Sequence, residues 1–158
     1  METLTPVTAV ALLVAVVLVV TGPLVGVDAT REPVTEFGDG DAVVADVGTD
    51  SNAFRISDGR FGTEVEYARL PTATVTVSSV TDRPRLVYVV AVPALDISQF
   101  ETTVVTDPGR YRLAPDDYGM AAGTATAQSY TGTLTVRVQS FTTDRTVHRE
   151  NVSVGVAR

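Results

Sequence analysis

Three patterns of apolar and polar positions divide the chain. Residues 3 to 27 carry no charge, lying between Glu2 and Asp28, and within them Val7 to Val20 reads VTAVALLVAVVLVV, apolar on every face except Thr8. Thr5 can cap a helix whose first position is Pro6, and Thr21-Gly22-Pro23 supplies a stop or a kink. A helix over Pro6–Val20 alone rises about 22 Å, short of the roughly 30 Å hydrocarbon core, and fits a signal-peptide core. Continued through Leu24, Val25 and Val27 it is long enough to span, with a kink tolerated at Pro23. The stretch predicts one N-terminal hydrophobic helix in residues 1–27. It is either an uncleaved anchor that meets the lipid bilayer through residues 6–27, or a signal removed near Val27-Asp28-Ala29. A helix buried in a soluble core is the third reading.

Residues 28–40 are polar, with Pro33 and two glycines, and read as a linker. Across 41–158 the period becomes two. Ala73, Val75 and Val77 alternate with Thr74, Thr76 and Ser78; Leu134, Val136 and Val138 alternate with Thr133, Thr135, Arg137 and Gln139; Val152, Val154 and Val156 alternate with Ser153, Gly155 and Ala157. Such alternation predicts strands with one face buried and one solvated. Arg85 to Leu95 (RLVYVVAVPAL) is apolar on both faces, which predicts a central strand covered on both sides and ended by Pro93. Weaker strand signals fall at Asp41–Val47, Ala53–Ser57, Glu64–Leu70, Glu101–Thr106 and Arg110–Leu113. Turn residues separate them at Ser57–Gly59, Thr81–Pro84, Asp107–Gly109 and Thr142–Arg145, the last joining the final two strands into a hairpin.

About seven to nine short strands without a second helical pattern predict an all-β fold, an antiparallel immunoglobulin-like β-sandwich at 41–158. Asp116 to Gln128 (DDYGMAAGTATAQ) has little periodicity and reads as a long loop, of the kind that is uncommon unless functional or mobile.

Composition narrows the function. Zero cysteine excludes disulfides, thiolate metal sites, cysteine nucleophiles and a lipoprotein anchor, and the single histidine, His148, excludes any site that needs two imidazoles. A net charge of −7 argues against nucleic acid as a partner. From Asp28 onward the chain carries 18 acidic and 12 basic residues, a balance of −6, and every basic residue is arginine. Acidic surfaces stay hydrated in molar salt, where self-repulsion is screened within a few ångströms, so the composition fits a halophile; a GC-rich genome accounts for the missing lysine equally well.

Candidate chemistry is sparse. His148 has no nucleophile or orienting acid near it in sequence and reads as a solvent-facing strand residue. The pairs Asp39/Asp41 and Asp116/Asp117 lack the spacing of a calcium loop and read as surface carboxylates. Ser129 and Ser140 sit in no nucleophile elbow, and Gly59 and Gly62 belong to a turn, not to a phosphate-cradling loop. No catalytic residue, metal or cofactor is predicted, and a carboxylate-based hydrolase is the minor alternative. Tyr111, Tyr118 and Tyr130 bracket the irregular segment and are the candidate ligand or partner contacts, since rings outside a core can anchor a partner. Asn151-Val152-Ser153 is a glycosylation sequon, reachable at Asn151 if Val152 faces the core.

With these stretches in view the chain resembles small haloarchaeal proteins that join an N-terminal hydrophobic segment to a Thr/Val-rich β-domain. The resemblance is carried by RFGTEVEYARLP at Arg60–Pro71, PRLVYVVAVPALD at Pro84–Asp96, YTGTLTVRVQSF at Tyr130–Phe141 and RTVHRENVSV at Arg145–Val154. These proteins have no assigned activity, so the resemblance implies a location and a fold and no site residue. The layout is also similar, more distantly, to archaeal surface-appendage accessory proteins. The sequence expectation is a membrane-anchored extracytoplasmic structural domain of a cell envelope or appendage, partnered through edge strands. Its alternative is an exported solute- or carbohydrate-binding module, secreted after signal cleavage.

Overall fold

A computed structural model describes residues 38–59 and 64–157. The expected helix over 6–27, most of the linker, Arg60 to Thr63 and Arg158 lie outside them. Among the described residues no helix is long and apolar enough to cross a membrane.

Ten strands form two sheets. They are β1 (Gly40–Thr49), β2 (Arg55–Asp58), β3 (Val65–Arg69), β4 (Ala73–Asp82), β5 (Arg85–Val92), β6 (Ile97–Val104), β7 (Gly109–Leu113), β8 (Tyr118–Ala121), β9 (Ser129–Gln139) and β10 (Asp144–Ala157). A three-stranded sheet runs β1-β4-β7 and a seven-stranded sheet runs β6-β5-β9-β10-β2-β3-β8. All pairings are antiparallel except β2 with β10, which meet in parallel over Arg55–Ser57 and Gly155–Ala157. The fold is all-β and sandwich-like, its strands nearly closing a barrel.

The period-two reading positions the core. Ala73, Val75 and Val77 of β4 are buried, as are Leu134, Val136 and Val138 of β9 and Val152 and Val154 of β10, while the residues between them are partly or fully exposed. Leu86, Tyr88, Val90 and Val92 of β5 have no exposed surface. Burying one such side chain contributes about 1.5–3 kcal/mol, which makes this inner row the main cohesive feature of the fold. The β9–β10 hairpin forms as expected, but its turn is Ser140–Thr143, because Asp144 and Arg145 already pair with Gln139 and Val138.

Three expectations need correction. Among the described residues the strands number ten, not seven to nine. The segment read as a loop contains β8, which pairs with β3 from Val65↔Ala121 to Ala68↔Tyr118. It escapes the pattern because YGMA has no β-branched residue. Finally, β5 is next to the edge rather than central. Its outward Val87 is only 8% exposed, lying between Thr102 of β6 and Arg137 of β9, so neighbouring side chains give the cover expected from a second layer.

A 3-10 turn at Pro93–Leu95 closes β5, and Asp96 adopts a left-handed conformation at φ +54° that reverses the chain. The following strand pairs back without a register shift, from Val92↔Ile97 to Arg85↔Val104. This tight reversal places β6 along the outer rim of the large sheet.

Candidate functional site

A sheet edge carries unpaired backbone N–H and C=O groups and is a template for another strand unless something blunts it. Three of the four edges here are blunted. Strand β1 has register breaks at Val43/Val44 and Val44/Asp46, and Arg145 donates to the Ala42 carbonyl at 2.6 Å and to Asp41 at 3.1 Å. Strand β7 is five residues long and carries Arg110 and Arg112, both exposed. Strand β8 is four residues long.

The fourth edge is β6. It runs for eight residues, ISQFETTV, with no bulge, no proline and no basic residue, and among the described residues only β5 pairs with it. Its inward row is Ile97, Gln99, Glu101 and Thr103. Only Ile97 is buried; the polar three are half-exposed, so the strand overhangs the core. Its outward row is Ser98, Phe100 and Thr102, all exposed. Phe100 stands at 68% exposure beside Val89 of β5. A large ring left in water on an open edge marks a contact surface better than a scattered apolar residue elsewhere.

A second feature lies inside. A register shift at Val147, between Thr146 and His148, sets His148 opposite buried Val136, so its side chain shares the inward face with Glu150 and Val152, contrary to the solvent-facing expectation. Its Nε2 is buried without a hydrogen-bond partner, 3.6 Å from Glu150 Oε2, and the Thr49 hydroxyl donates to the same oxygen at 2.7 Å. The Tyr88 hydroxyl is also buried and unpartnered. Burial first, and the Glu150 carboxylate second, push its pKa far above the phenol range, so it is not a base. The group holds no nucleophile poised against a base. Its best-defined bond ties β10 to β1.

The residues singled out from sequence do not converge. Tyr111 stands in the three-stranded sheet, and its hydroxyl donates to the Asp107 carbonyl at 2.7 Å. Tyr118 is half-buried on β8 and Tyr130 half-buried on β9, with three strands between them in the sheet order. The Tyr130 oxygen accepts the Ala127 N–H at 3.0 Å, a bond that holds its pKa below the usual phenol range. Asn151 is exposed beside buried Val152, and its Oδ1 accepts the Thr133 hydroxyl at 3.1 Å.

The acidic pairs act as staples. Asp39 accepts from the Thr142 hydroxyl and the Gly40 N–H, which lower its pKa in that order, and Asp41 accepts from Arg145. Asp117 accepts the Leu70 N–H at 3.1 Å. Among the described residues no three of His, Asp and Glu gather as a metal site. Ser140 accepts the Thr143 N–H inside the hairpin turn, and Gly62 lies outside the described residues.

Ala122 to Gln128 is not loose. Buried Glu66 accepts the N–H of Gly123 at 3.0 Å and of Ala125 at 2.9 Å, Ala125 is fully buried, and the Gln128 carbonyl accepts the Val156 N–H. Among the described residues, two of the clefts are open and partly polar. One, of about 360 Å³, lies among Ser51, Asn52, Arg55 and Gln128; the other, of about 280 Å³, among Val89, Thr135, Arg137 and Arg149. Neither is lined by the three tyrosines.

No family model, curated protein or solved structure matches this chain. Sequence reasoning missed Glu66, Thr49, Tyr88, Glu150 and the β6 edge. The signal for the last was present: Ser98 to Thr103 alternates polar residues on both faces around one phenylalanine, the mark of a strand with little to cover it.

Proposed function

We infer that this protein is a structural and interaction module that associates through the open edge of β6. It would be held at a membrane by its uncharged N-terminal stretch and would face the extracytoplasmic side of a halophilic archaeal cell envelope or appendage. The observation that carries the reading is the contrast between one bare eight-residue edge bearing exposed Phe100 and three edges that are bulged, short or charged. Strand addition uses such an edge for main-chain affinity and its exposed side chains for specificity. The acidic, lysine-free composition and the 25 uncharged residues from 3 to 27 support the location. Asn151, exposed on β10, is the glycan acceptor in that setting, and the immunoglobulin-like description of the sandwich belongs to the same reading.

The test is to solubilise native membranes in molar salt and compare the size of the complex holding the wild-type chain with that holding Phe100→Lys, with intact-mass analysis of both. Full-length chain in a larger complex, lost in the variant, supports the reading. Recovery in the medium with a new N-terminus near Thr30 favours the alternative of a secreted solute-binding module. The polar cleft at Asn52, Arg55 and Gln128 is where that alternative would place its ligand.

A further inference from the structure

We propose that β6 pairs antiparallel with β6 of a second copy of this chain, about a two-fold axis through Phe100, so that two seven-stranded sheets join into one. The proposal rests on the reading of β6 as an open edge and names its partner and register.

The argument comes from which side chains would face each other. In an antiparallel ladder directly opposed residues share a face, so a self-pairing of β6 can set outward residues only against outward ones and inward only against inward. That leaves a short series of registers, each moved by two residues. One register puts Phe100 against Phe100, Ser98 against Thr102, Gln99 against Glu101 and Ile97 against Thr103. Every pair is compatible. The two rings meet on the outward face beside the two Val89 side chains, and each Glu101 carboxylate faces a Gln99 amide that can donate to it. Shifting one way sets Glu101 against Glu101, and like charges directly opposed are unfavourable. Shifting the other way sets Glu101 against Ile97, which is buried, and breaks the ring pair.

The single carboxylate of the strand therefore selects one register where an uncharged edge would slip. It also argues for a second copy over a foreign strand: the same eight residues supply both the acid and its amide partner at mirrored positions. The acidic charge of each copy opposes close approach in dilute salt, so association strengthens as salt rises.

The chain has no cysteine, which allows a clean register test. Full-length Ser98→Cys and Thr102→Cys proteins, in detergent and molar salt, are treated with a short bismaleimide, separately and as an equal mixture. The mixture is expected to cross-link while neither protein links to itself, because like positions lie four residues apart along the ladder. Sedimentation is expected to show a dimer that Gln99→Glu weakens about tenfold, through two new carboxylate pairs, and that the double change Gln99→Glu with Glu101→Gln restores.

Self-linking by either cysteine protein, or a dimer indifferent to Gln99→Glu, overturns the register and the interface. A chain that stays monomeric while Phe100→Lys still shrinks the native complex overturns the second copy and leaves the edge reading standing. Monomer together with an unaffected native complex overturns both.

Discussion

Strands β1 and β6 are both rims of the same domain, yet they are finished in opposite ways. β1 is the longer, at ten residues, and it is tied down along its length. Its register with β4 breaks twice, Asp39 ties its approach to the β9–β10 turn, Arg145 of β10 holds Asp41 and covers the Ala42 carbonyl, and Thr49 reaches Glu150 at its far end. β8, a third rim, is backed by a segment pinned to buried Glu66. β6 has none of this. The difference teaches that the fold carries enough polar chemistry to close a rim, and that it leaves one rim bare.

The comparison can be broken first on the closed side. Glu66→Leu leaves the Gly123 and Ala125 amides without an acceptor and is expected to cost about 3 kcal/mol in chemical denaturation, with Glu66→Gln losing about half of that. Gly40 is the next most sensitive position. It sits at φ +101°, and a Cβ there would come 1.9 Å from the Thr81 carbonyl oxygen, so Gly40→Ala is expected to cost about 2 kcal/mol and to loosen the start of β1. Arg145→Ala removes one exposed ion pair and the cover on Ala42, and should cost under about 1 kcal/mol. Its clearer effect is faster amide exchange along the first half of β1.

Asp39 gives the comparison a pH axis. Its carboxyl is held below the ordinary value of 3.8 by hydrogen bonds from Thr142 and Gly40, so the stability it contributes is full above that value and is lost as pH falls through the lowered one. Thermal unfolding followed from about pH 5 down to pH 2 should therefore show a steeper acid decline for wild type than for Asp39→Asn. The smallest effect on stability belongs to the open side. Phe100→Ser should leave the denaturation midpoint within about 0.5 kcal/mol of wild type, because the ring is exposed. The same change should abolish association. Large folding effects on closed rims and none on β6 would sharpen the contrast; a costly Phe100→Ser would break it.

Legibility in the sequence followed physical lines. Strands that bury one face announced themselves through alternation, and β4, β9 and β10 lie where Val75, Val136 and Val154 placed them. β8 did not, since YGMA carries no β-branched residue and the segment after it is held by a carboxylate fifty-seven residues away from the amide it accepts. The inward turn of His148 depends on a one-residue bulge, which hydrophobic period cannot register in a stretch where Thr146, Val147 and His148 carry no strong pattern. The tyrosines drew attention for their chain neighbourhood, but neighbourhood in the chain did not become neighbourhood in the sheets. The open edge was half legible. Edge pairing was expected of some strand, but which strand lies at a rim is set by sheet order, a non-local property.

The most direct measurement is residue-resolved amide hydrogen exchange of the full-length chain at low concentration and again under associating conditions. The account predicts that every second amide between Ile97 and Val104 exchanges freely in the dilute monomer and becomes protected on association, while the amides of β1 change little. Protection of all the β6 amides in the dilute monomer, or no change in them when the chain associates, would contradict it.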